Sequence, residues 1–303
     1  MRLGSFFYKK ANNLVKRTRW YNETLFGFCG KFWSFNTYGV DVINLGSSSS
    51  LRSFDYSDIN LKCFNWALPS QYLLADYEIL KNYSTFLKKG TTVILGTCLF
   101  PLDGYDVTYF DDRYYSILYP SSIWHYSSQR MNRVMDMKRN PIKYYPIMSF
   151  LLSIKKIFHN PIKSQLKEDQ FRDDARRWIV DVWSNQFSID NLEDPLSIRN
   201  KDLINQSIDI ISKINDFCIE KGFNFVIVIP PVSKELREWL TPKMRENYLY
   251  AFRNSEVLGE IKFLDYVDDS QFDSHQYFRD AYLMTSEGAR IFTKRVLSDL
   301  SLI

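Results

Sequence analysis

Four serines in a row, Ser47 to Ser50, follow Gly46 at the end of the apolar run VDVINLG. A serine just beyond a strand, at the start of a helix, can act as a nucleophile because main-chain N–H groups there can hold an oxyanion. A phosphate cradle fits less well: no Lys follows Gly46, and a P-loop or dinucleotide fingerprint needs more glycines. A solvated serine loop without chemistry is the plain alternative. A working serine needs a base and a group that orients the base. Two other stretches can bring polar groups to the same place: CFNWALPSQ, with Asn65, Ser70 and Gln71, and YFRDAYLMTSEGA, with Asp280.

The chain has three histidines. His275, five residues before Asp280, is the alternative base; a surface loop histidine is the competing reading. His125 lies in a central region that can reach a crevice from above, and His159 ends a helical run. Tyr282 is a poor base at neutral pH, since a phenol titrates near ~10. Asp111 and Asp112 could suggest a metal site, but acids in an aromatic loop are more often solvated or paired, here with Arg113. DYVDDSQFD lacks the Gly and Glu positions of a calcium loop. Cys29, Cys63, Cys98 and Cys218 lack zinc spacing and read as buried free thiols. No metal and no bound cofactor are expected.

The elements that must position these groups alternate. Five runs read as buried strands, at 40–46, 59–67, 91–100, 224–230 and 261–266. Between them, a helical pattern from Ser70 stops at Gly90, another stops at Gly222, and a last one starts at Thr285 or Ser286 with Glu287 in its first turn. Alternation predicts a three-layer α/β/α domain over 1–303, with a parallel sheet of about five strands in the flavodoxin-like order 2-1-3-4-5. Region 103–200 reads as an insertion that roofs the site, with helical pattern at 147–158 and 173–183. Residues 1–35 form a basic, aromatic segment.

Together the blocks resemble the SGNH, or GDSL-type, hydrolase superfamily, in particular its bacterial polysaccharide O-acyltransferase-like branch. The family's first block, Gly-Asp/Ser-Ser, matches Gly46-Ser47-Ser48. Its last block, Asp-x-x-His-Leu-Asn/Thr-x-x-Gly-Ala, matches Asp280 to Ala289 with Leu283 at the histidine position. The resemblance covers about 35–100 and 200–300. It implies Ser48 as nucleophile, Asp280 as the orienting acid, and Gly46, Ser47, Asn65, Ser70 and Gln71 around the oxyanion or substrate. It further implies an acyl donor such as acetyl-CoA and a sugar or polysaccharide acceptor. Leucine cannot accept a proton, so two functions stand: O-acyl transfer (or esterase action), or a degenerate domain that binds a glycan or partner without turnover. If only the base is missing, Leu283→His should raise activity on a small ester at least about a hundredfold.

Composition frames these functions. The 303 residues carry 39 Lys and Arg against 35 Asp and Glu, interspersed, which gives no nucleic-acid footprint. No run has the ~18 apolar residues of a membrane span, and 1–28 has no signal-peptide pattern. A cytoplasmic protein is expected, with a peripheral membrane or membrane-protein partner left open by the aromatic and basic first segment.

Overall fold

The computed structural model describes residues 2–100, 102, 104, 105, 110–148 and 165–303. The strands are β1 (Val40–Gly46), β2 (Cys63–Asn65), β3 (Leu87–Gly96), β4 (Asn224–Ile229) and β5 (Lys262–Asp265). They form one parallel sheet in the order β2-β1-β3-β4-β5, as the alternation predicts. The β-branched and leucine-rich centres of β1 and β3 are buried on both faces, as helices on either side of a parallel sheet require.

The principal helices are α1 (Arg2–Lys16), α2 (Ser48–Ser53), α3 (Leu73–Tyr83), α4 (Ser128–Arg139), α5 (Phe171–Arg176), α6 (Ile198–Lys221) and α7 (Ser286–Asp299). α5 runs on through wider turns to Phe187, so the 173–183 pattern is helical. α6 starts at Ser197, whose side chain accepts the Asn200 N–H, and ends at Gly222 in the left-handed region. α7 is capped by Thr285, which accepts the Gly288 N–H.

Two boundaries differ from the sequence expectation. α3 ends at Tyr83, and β3 has begun by Leu87, so Gly90 sits inside a strand at φ 85° rather than closing a helix. β2 is three residues long, although beyond it the Trp66 and Leu68 N–H groups still donate to the Asn44 and Gly46 carbonyls of β1. Of the helix expected at 147–158, all beyond Met148 lies outside the described residues, as does His159.

The chain divides into two compact units where the sequence reading has one domain. Met1–Asn36 and Val107–Lys163 form one; Thr37–Asp106 and Ser164–Ile303, with the whole sheet, form the other. The expected insertion is thus split, and its central part belongs with the first segment. In that smaller unit Asn12 accepts the Ile142 N–H, the Tyr21 hydroxyl donates to the Lys138 carbonyl, and the Trp33 indole donates to Ser116. Asp112 is bound by Arg130 at 2.7 Å and Asp111 faces Arg113 at 3.5 Å, so both acids are in ion pairs. His125 is exposed, at φ 52°.

Burial lowers the Lys138 ammonium to about 8, against a carbonyl bond to Ser116 and the Trp33 ring. Its folded pKa lies below its unfolded one, so the folded state bears the cost of the buried charge below pH ~8 and loses that cost as pH rises toward ~10.5. Melting temperature should therefore climb more steeply between pH 7.5 and 9 (approximate bounds) in the native protein than in Lys138→Met. Equal slopes in calorimetry would show that the ammonium is not desolvated. Cys29, pushed up to about 12 by burial, acts in the opposite sense only above pH ~9.

Candidate active site

β1 and β3 pair Gly46 with Gly96 at their carboxyl ends. The two glycines let α2 come down almost onto the sheet: a Cβ on Gly46 would fall on the Gly96 carbonyl oxygen, and a Cβ on Gly96 would fall on the Ser50 hydroxyl. Gly46 also holds φ 118°, where other residues are strained. The Gly46 N–H donates to Asp76 Oδ1 at 2.7 Å, and the Gln71 amide donates to the same oxygen. Asp76 is 1% exposed. It is the residue that sequence reasoning missed, although it stands three after Leu73 and four before Leu80, on the buried stripe of α3.

The serines have separate jobs. Ser47 precedes the helix and makes no capping bond through its side chain. Ser48 is half-buried, and its Oγ accepts the Ser70 N–H at 3.4 Å. Ser70 itself holds a left-handed φ of 46°. Ser49 is buried beside Thr97, Pro230, Pro231 and Tyr282, with no room for a water among them. Ser50 is structural: its hydroxyl donates to the Leu45 carbonyl at 2.6 Å and accepts from Asn44 at 3.0 Å.

The serine loop and the Asp280 loop therefore meet at the carboxyl edge of the sheet, through Ser49 and Tyr282. Asn65 does not join them as an oxyanion donor. Its amide donates to the Leu51 and Phe54 carbonyls, and its oxygen accepts from Asn44 and the Ala67 N–H. An amide so employed braces α2 against β2 and has no proton left for substrate. Gln71 is buried too, and its Oε1 has no donor among the described residues. It borders a space of about 20 Å³ with Ser47, Asp76 and Cys98, about one water in size.

The Asp280 carboxylate closes its own turn. Oδ1 accepts the Tyr282 and Leu283 N–H groups at 3.1 and 2.8 Å, and Oδ2 takes Arg279 at 3.2 Å. The Leu283 carbonyl accepts the Arg279 N–H, Ala281 N–H donates to Asp174, and Ser233 N–H donates to the Ala281 carbonyl. The Leu283 side chain is 7% exposed and belongs to the core. Tyr282 packs between Trp178 and Trp183, with ring centroids 5.0 and 4.9 Å away. Burial, then the neighbouring Cys98, drives its phenol far above the ordinary value, so it stays protonated. Within the sheet-bearing unit, the helical run from Phe171 to Phe187 packs on the Asp280 loop through Trp178 and Trp183.

His275 is held elsewhere. Its Nε2 lies 2.8 Å from Glu235 Oε1, its Nδ1 faces Glu168 at 3.7 Å, and its ring stacks on Phe171 at 4.3 Å. With both nitrogens turned to carboxylates, it is not aimed at Ser48. Glu235 ends below the ordinary carboxylate range: burial pushes it up, but its own backbone N–H and His275 outweigh that. Among the described residues no three His, Cys, Asp or Glu are grouped to hold a metal. Of the cysteines, Cys29 and Cys218 are buried, while Cys63 and Cys98 are half-buried; all four are free thiols.

One surface hollow of the sheet-bearing unit was not foreseen. It has a volume of about 610 Å³ and lies between the outer face of the 171–187 run, the loop at 189–193, and Glu238 to Thr241. Val180, Leu192 and half-buried Trp239 give it apolar surface, and Asp190, Glu193 and Glu238 give it carboxylates. No family model matches the chain, and no curated protein matches it.

Proposed function

We propose that this chain is an SGNH-like domain that binds a sugar or polysaccharide precursor without turnover at Ser48. The observation that carries this reading is the closed turn at Asp280. The acid that should orient a base is bonded to its own backbone and to Arg279, and the base position is a core leucine. Without a base, serine at its normal pKa is a weak nucleophile. The space beside Ser47 admits one water, not a sugar. A saccharide fits the hollow around Trp239: an indole face suits the C–H face of a pyranose, and carboxylates accept bonds from its hydroxyls.

Trp239→Ala should weaken binding to a neutral or acetylated oligosaccharide by at least about thirtyfold, the loss expected for an indole at the centre of a contact. Calorimetry with native and variant protein decides it. Failure of the native chain to bind any member of a panel of such oligosaccharides, or equal binding by the variant, rejects the reading.

One observation favours the other function, O-acyl transfer with acetyl-CoA or a like donor. A main-chain donor, the Ser70 N–H, stands 3.4 Å from Ser48 Oγ, beside the place where an oxyanion would develop on attack by that hydroxyl.

A further inference from the structure

The charge of this protein is divided between its two units. Met1–Asn36 with Val107–Lys163 contains 16 basic and 4 acidic residues, a net charge of +12; the sheet-bearing unit contains 23 basic and 31 acidic, a net charge of −8. All four acids of the basic unit are in ion pairs with cations of the same unit: Glu23 with Arg19, Asp111 with Arg113, Asp112 with Arg130 and Asp136 with Lys143. The excess of twelve cations has no acid left within the unit to balance it.

α1 carries part of that charge beside apolar groups. Its inner face is set by buried Asn12 and Val15, with Asn12 bonded to the Ile142 N–H. Phe7 and Leu14, seven residues apart and so on one stripe, are 62% and 44% exposed. Exposed Lys10 and Arg17, three residues after each, flank that stripe. The same unit exposes Tyr119, Trp124, Ile147 and Met148. A short helix with apolar side chains outward and cations beside them suits the boundary between lipid headgroups and acyl chains. No described helix is long and apolar enough to cross a membrane, so such a helix would lie on the surface.

We propose that this basic unit docks on a bilayer containing anionic phospholipid, with Phe7 and Leu14 of α1 entering the interface and Lys10 and Arg17 meeting headgroup phosphates. A polynucleotide would satisfy the cations but gives aliphatic Leu14, Ile147 and Met148 nothing to enter. A bilayer satisfies both features. The inference does not depend on the reading of the serine crevice.

The test is co-sedimentation of the full chain with phosphatidylcholine vesicles and with vesicles of phosphatidylcholine and phosphatidylserine in equal parts. The native protein should pellet with the mixed vesicles, less so at high salt, and remain in solution with phosphatidylcholine alone. Two double variants change only exposed positions. Phe7→Ser with Leu14→Ser, and Lys10→Glu with Arg17→Glu, should each cut binding at least about tenfold while circular dichroism stays native. Absence of native binding, equal binding to both vesicles, or full binding by the folded Phe7/Leu14 variant overturns the proposal. So does tight binding to a single-stranded oligonucleotide that the Phe7/Leu14 variant retains when vesicle binding is absent.

Discussion

Gly46→Ala is expected to destabilise the sheet-bearing unit by at least about 4 kcal/mol, in the range reserved for core disruption. Two costs act together. The residue sits at φ 118°, which a Cβ makes strained, and that Cβ would coincide with the Gly96 carbonyl and stand 2.9 Å from the Ser50 side chain. Neither neighbour can yield cheaply. The Gly96 carbonyl belongs to the strand paired with β1, and Ser50 is fixed by Leu45 and Asn44. Since a domain has only about 5–15 kcal/mol in total, much of the variant should be unfolded or insoluble. A denaturation midpoint close to that of the native protein would show that the α2 contact is looser than described.

Asp76→Ala should cost about 3 kcal/mol, while Asp76→Asn should recover at least half of the loss. The carboxylate accepts the Gly46 N–H and also binds the Gln71 amide. Truncation leaves both donors buried; asparagine restores an acceptor of the same shape. The measurement is urea denaturation of the three proteins side by side. If Ala and Asn variants lose the same amount, the effect belongs to the charge or to packing of α3, not to the bond that holds the serine loop.

The fold was legible from the sequence because its signals are local. Short apolar runs and helix stops such as Gly222 and Thr285 specify strands and helices one at a time, and right-handed alternation then orders the sheet. Gly90 misled because a glycine after a helical pattern can equally sit in the next strand. The site was legible in part. Spacing brought the serine loop and the Asp280 loop to one sheet edge, but it does not say where an amide spends its protons, and Asn65 spends both on backbone. His275 lies close to Asp280 in sequence, yet Glu235, forty residues away in the chain, holds its ring. The basic unit was hidden for a different reason. A whole-chain charge of +4 is the residue of +12 and −8, and the division follows from which segments pack together.

On the proposed reading, the serine crevice lacks more than a histidine: the Asp280 carboxylate is turned into its own loop and Asn65 is spent on backbone. The most direct test is the rate of p-nitrophenyl acetate hydrolysis by Leu283→His, compared with the native protein and with Ser48→Ala, in samples shown to be folded. The geometry predicts that Leu283→His stays within about threefold of the native rate and that Ser48→Ala changes neither, because the new imidazole finds no free carboxylate oriented for it. A rise of about a hundredfold that disappears in Leu283→His with Ser48→Ala would contradict this, and would establish a serine site that lacked only its base.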